Sequence, residues 1–147
     1  MAARLSTGLV KKLMDTAPFK TVFDGCFIDI YSGSQPASAD DVPSGTKLVT
    51  LYSNGTSTGL HFEAAAPGGV ASKLASESWT GTALADGVAG WFRVREASDA
   101  GTASSTTAAR YDGSIAASGG QMTLANTTVT NGSPFVIAAA SFTLPKA

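Results

Sequence analysis

The apolar residues of this chain change their period at Gly25, and that change constrains the fold more than any other feature. Before it they recur at helical spacing; after it they alternate, broken at short intervals by turn signals. These signals are Ser53-Asn54-Gly55, Pro67-Gly68-Gly69, Asp86-Gly87, Asp112-Gly113, Gly119-Gly120 and Asn131-Gly132. Glycine, a residue that punctuates turns, stands in every one. The intervening segments are predicted as strands near 26–32, 47–53, 59–64, 70–76, 78–84, 89–96, 107–116, 121–130 and 134–144. Short strands at this spacing predict a mainly β, single-domain antiparallel β-sandwich or jelly roll of about eight or nine strands. The 147 residues are enough to bury one sizeable core.

Residues 1–25 read as an N-terminal helical arm on a β-domain spanning 26–147. Leu5, Leu9 and Leu13, with Val10 and Met14 beside them, form an apolar stripe, while Lys11 and Lys12 lie outside it and Ser6 or Thr7 supplies a cap. Thr16-Ala17-Pro18 then opens a second short helix carrying Phe19, Val22 and Phe23, which Asp24-Gly25 ends. Such a pair either covers an open end of the sheet or serves as a docking arm for a partner subunit. In the second case Leu5, Leu9, Leu13 and Phe19 are its contacts.

Alternation assigns faces. Phe92 and Val94 point to a core, with Trp91, Arg93 and Arg95 on the opposite side, so this strand is expected to be buried on one side only. Ile28, Ile30 and Cys26 likewise face inward, with Asp29 and Tyr31 facing away. Phe135-Val136-Ile137 has no polar face and is expected to be a central strand, and Ala138-Ala139-Ala140 to allow close packing.

Charged residues make up 14% of the chain, against roughly 25% in a typical soluble domain, and the net charge is -1. That balance offers nucleic acid no basic footprint. No apolar run approaches the roughly 18 residues of a membrane span, and Lys11 and Lys12 interrupt the only early apolar stretch, so no membrane partner and no secretion signal are expected.

Candidate chemistry is sparse. Cys26, the only cysteine, sits among Phe27, Ile28 and Ile30 as a small hydrophobe without a cationic neighbour in sequence. His61, the only histidine, reads as a surface or half-buried strand residue. One Cys and one His cannot make a tetrahedral zinc site, and no calcium-loop spacing occurs. Asp40 and Asp41 are adjacent, and neighbours on an extended strand diverge, so they read as loop-solvating or turn-capping residues. Trp79 and Trp91 read as core or interface anchors; with Tyr31, Tyr52 and Tyr111 they are alternatively a stacking platform for glycans. The reading is therefore a non-enzyme with no cofactor and no metal.

The segments "FIDIYSGSQPASADD", "GTKLVTL", "GLHFEAA", "ASKLASESWTGTALADGVAGWFRVRE", "RYDGSIAASGGQMTLANTTVTNG" and "SPFVIAAASFTLPKA" together resemble small structural proteins of tailed-bacteriophage virions, most of all capsid cement or decoration proteins. The likeness runs through nearly the whole chain, and the opening "RLSTGLVKKLMD" shares it. It implies a jelly-roll or β-sandwich fold and a location on the capsid exterior after assembly in the host cytoplasm. It also implies a homo-oligomer, dimer or trimer, that bridges subunits of the major capsid protein. A tail or baseplate component is the alternative within the same resemblance. It supplies no catalytic residue to carry over. The expected contact residues are Leu5, Leu9, Leu13 and Phe19 of the arm, with Gln35, Pro36, Asp40 and Asp41 of an exposed loop.

Overall fold

The computed structural model describes residues 3–124, 126–137 and 139–145. Its elements begin with β1 (Arg4–Leu5), α1 (Thr7–Asp15), α2 (Phe19–Val22), β2 (Phe27–Ser32) and β3 (Lys47–Ser53). There follow β4 (Val70–Ser72), β5 (Trp79–Thr82), β6 (Gly87–Arg95) and β7 (Arg110–Ala116). The last strands are β8 (Met122–Thr123), β9 (Thr128–Val129), β10 (Pro134–Ile137) and β11 (Ser141–Thr143).

One large sheet runs in the order β1-β7-β6-β2-β3-β5-β10, with β8 added to β7 and β9 to β6, and a separate ribbon pairs β4 with β11. All of these pairings are antiparallel except β7 with β8. The result is the expected mainly β, sandwich-like molecule, not closed into a barrel.

The inner face of the sheet carries in-register rows of apolar side chains. One row is Leu5, Tyr111, Val94, Ile28 and Leu51; the next brings together Phe92, Ile30 and Val49. The ribbon closes over this face through Phe142, whose ring lies 5.6 Å from that of Phe92, 5.8 Å from Tyr111 and 5.9 Å from Phe62. Tyr111 Oη donates to the Thr143 carbonyl at 2.7 Å, tying β7 to the ribbon, and burial pushes its phenol up to about 12. Burial is the larger cause and the bond opposes it.

The predicted strands at 26–32, 47–53, 89–96 and 107–116 appear as β2, β3, β6 and β7. Segment 59–64 forms only isolated bridges, Cys26 with Leu60 and Phe62 with Lys73. Segments 121–130 and 134–144 each divide in two because each serves two partners: β8 joins β7 and β9 joins β6, while β10 joins β5 and β11 joins β4. Ala138, in the expected alanine contact, lies outside the described residues.

Two expectations are corrected, and one choice is made. First, β10 is the terminal strand of the sheet, not a central one, and Val136 is exposed. Secondly, β6 is buried on both faces, because the side bearing Trp91 and Arg93 is covered by loops. Of the two readings of the N-terminal helices, the described residues 3–25 follow the first, lying on the chain's own core. Ser6 caps α1 by accepting from Leu9 N, also accepts from Arg110 N at 2.8 Å, and donates to the Ala108 carbonyl at 2.8 Å. Leu9 is fully buried, and Leu5, Leu13 and Phe19 pack against the same core, where such a side chain contributes about 1.5–3 kcal/mol when fully enclosed. Leu5, Leu9 and Leu13 of the stripe thus belong to the chain's own core, while Val10 and Met14 are exposed, and the helices cover the sheet.

Candidate functional site

The outer face of the sheet is where titratable side chains gather. Register places Arg4, Asp112, Arg93 and Asp29 side by side across β1, β7, β6 and β2, with Thr50 next on β3. The adjacent row is Arg110, Arg95 and Phe27. A charged row on a sheet normally faces water, but here loops 33–46 and 96–109 fold across it.

Under those loops the charges pair with one another. Arg93 donates through Nε and Nη2 to the two carboxylate oxygens of Asp112, both at 2.7 Å, with neither side chain exposed. Asp29 accepts from Thr50 at 2.6 Å and from Arg95 at 2.7 Å, with Lys47 3.4 Å away. Arg110 holds Asp99 by two bonds of 2.6 and 3.0 Å. Burial raises the Asp112 carboxyl above its ordinary value despite Arg93 beside it. Asp99 is also pushed up by burial, but its bonds from Arg110 and Gly101 N outweigh that and leave it lowered.

The same cations fasten the loops. Arg4 donates to the Pro36 carbonyl, Arg93 to that of Asp41 and Arg95 to that of Asp99, while the Trp91 indole donates to Ser44. Ser105 N donates to the Asp40 carbonyl, joining one loop to the other. Trp91 stacks on Tyr31 at 4.5 Å, and the Arg93 guanidinium lies 5.4 Å from the centre of the Trp91 ring, so the aromatic pair is part of this layer.

A second cluster lies across the molecule. Glu77 is buried and accepts from Ser53 Oγ, His61 N and Trp79 Nε1, and its Oε2 lies 2.7 Å from His61 Nδ1. Burial pushes its carboxyl up, but these bonds together outweigh it and hold the group below its ordinary value. Ser53 and His61 both address the carboxylate, so the serine is not directed at the imidazole as nucleophilic catalysis requires. The cluster ties the end of β3 to β5 and to the 60–62 bridge segment.

The structure brings Asp40, but not Asp41, to the helix. Asp40 accepts from Thr7 N at 2.8 Å and Thr7 Oγ1 at 2.6 Å, adding a negative charge at the start of α1. The Asp41 carboxylate instead accepts from Ser38 N at 3.1 Å inside the loop. Gln35 is buried and Pro36 half-buried, so of the expected loop and helix contacts Asp41 alone is exposed. Cys26 is fully buried, and burial pushes its thiol well up, away from reactivity. Trp79 and Trp91 are also fully buried, which withdraws both rings from any glycan platform. Among the described residues no group of three or more His, Cys, Asp and Glu is placed to hold a metal ion, and no helix is long and apolar enough to cross a membrane.

Sequence reasoning missed Glu77 and the mutual burial of the charged row. The signal for the row was present at Asp29 and Arg93, which sit between core-facing residues on predicted strands, whereas Asp112-Gly113 reads as a turn and instead lies inside β7. Comparison with protein-family models, curated proteins and solved structures finds no match.

Proposed function

We propose that this chain is a structural protein of a tailed-phage virion, a cement or decoration protein that bridges subunits of the major capsid protein from the capsid exterior as a homo-oligomer. The sequence resemblance motivates the reading. The observation that carries it is the use made of charge: arginines of the outer face pair with carboxylates across the strands and also hold loops 33–46 and 96–109 to the sheet, through the carbonyls of Pro36, Asp41 and Asp99 and through the Arg110–Asp99 pair. A body braced in this way suits a protein that must keep its shape while holding neighbours together. Modest contacts repeated on a symmetric lattice then add up through avidity.

The test is a residue-level reconstruction of intact particles, with copy number from quantitative mass spectrometry. Stoichiometry near that of the major capsid protein, density bridging capsomers, and heads that burst more readily without the protein are expected. A few copies confined to the tail would replace this reading with a tail or baseplate role. Absence from purified virions would remove both.

A further inference from the structure

The two ends of the large sheet are finished differently. At one end the two-residue strand β1 leads directly into α1, and Arg4 reaches over to the loop at Pro36. At the other end β10 pairs with β5 on one side, and among the described residues no strand pairs with its other side. A free edge presents unpaired backbone N–H and C=O groups, and proteins normally guard one with charge, an interior proline, a bulge or a covering loop. In β10 the proline stands at the first position only, and the run Phe135-Val136-Ile137 has no polar side chain.

The chain that carries β10 is uncharged, although Asp86 accepts from Asn131 N at 2.7 Å in the turn before it and Lys73 and Glu77 line a hollow with Ile137 at its end. From Gly113 to Pro145 the sequence contains no Asp, Glu, Lys, Arg or His, so β8 to β11 all lie in uncharged chain. Val136 is 56% exposed, and Leu84, next to the turn at 131–133 that leads into β10, is 59% exposed.

We propose that this edge is a self-association surface, on which β10 pairs antiparallel with β10 of a second copy to make one sheet continuous across a two-fold axis. Charge selects the occupant. In an antiparallel pairing of identical strands the residues at the two-fold axis face their own copies, so a charge there would meet its like, and the uncharged run of β10 avoids that penalty. Antiparallel pairing of identical strands is itself two-fold symmetric and satisfies the free backbone groups of both copies at once. The argument stands on the sheet edge and not on the virion reading.

Sedimentation velocity of the purified full-length chain over a concentration series tests it. A reversible monomer–dimer equilibrium is expected, with Val136→Lys raising the dissociation constant about tenfold or more by placing like charges at the axis. Val136 is exposed, so its replacement leaves the melting temperature in place at concentrations where the chain is monomeric, and Val10→Lys on α1 leaves the dimer intact. A Val136→Cys variant is expected to form a covalent dimer on mild oxidation, since Cys26 is buried. A wild-type chain that stays monomeric at every concentration overturns the proposal, including the case in which the edge takes a strand from a different protein. So does a dimer that is weakened by Val10→Lys and untouched by Val136→Lys. Neither result bears on the particle copy number that tests the virion reading.

Discussion

Arg93 on β6 and Asp112 on β7 face each other across the sheet with two hydrogen bonds of 2.7 Å and no exposure on either side chain. Taking two charges out of water costs about as much as their attraction returns, so the intact pair adds little net stability. Breaking it strands a charge in the interior. Arg93→Met and Asp112→Leu are each expected to destabilise the fold by about 3–5 kcal/mol, and the double replacement by less than either alone. Urea unfolding of the three variants checks this, and additive losses would contradict it.

Glu77 gives the fold an acid-sensitive contact. Its carboxyl is held below the ordinary 4.5, so the folded state favours the ionised form. The stability it contributes is present above the unfolded value and is lost as pH falls through the lowered folded value. Asp99, also lowered, acts in the same direction, whereas Asp112, raised by burial, acts in the opposite one. Unfolding free energy measured from neutral pH down past 4.5 is expected to decline less steeply in Glu77→Gln than in the native chain, from a lower starting value. An unchanged slope would rule out the carboxylate as a contributor.

Gly8 lies inside α1, where alanine would ordinarily stabilise by about 1 kcal/mol. A Cβ at this position would stand 2.3 Å from the Thr107 carbonyl oxygen, in the loop before β7. Gly8→Ala is therefore expected to lower the melting temperature, and a rise would show that α1 can shift away from the loop.

Leu9 and Met14 share the α1 stripe in sequence and part company in the fold. Leu9 is fully buried and Met14 is 82% exposed. Leu9→Ala is expected to cost about 2–5 kcal/mol and Met14→Ala less than about 0.5 kcal/mol. Hydrogen exchange in α1 should track global unfolding, since the helix is packed into the core; rapid exchange there would restore the picture of a detachable arm.

What the sequence determined by itself was the grammar of the chain: two helices before Gly25, then short strands divided by glycine turns. Local periodicity and turn chemistry decide those features, and β2, β3, β6 and β7 fall where alternation placed them. It also determined the inner face, because Ile28, Ile30, Phe92 and Val94 must leave water whatever their partners are. Tertiary structure alone decided what lies against the other face. Whether Arg93 and Asp112 meet solvent or one another depends on where loops 33–46 and 96–109 come to rest, and Asp40 finds the start of α1 only because a long-range fold carries it there. Strand order is equally non-local: Phe135-Val136-Ile137 reads as a central strand by composition and became an edge because the sheet ends at β10. Periodicity reports which side of a strand is apolar, but register, sheet order and the pairing of buried charges are set between residues far apart in sequence, where no local pattern records them.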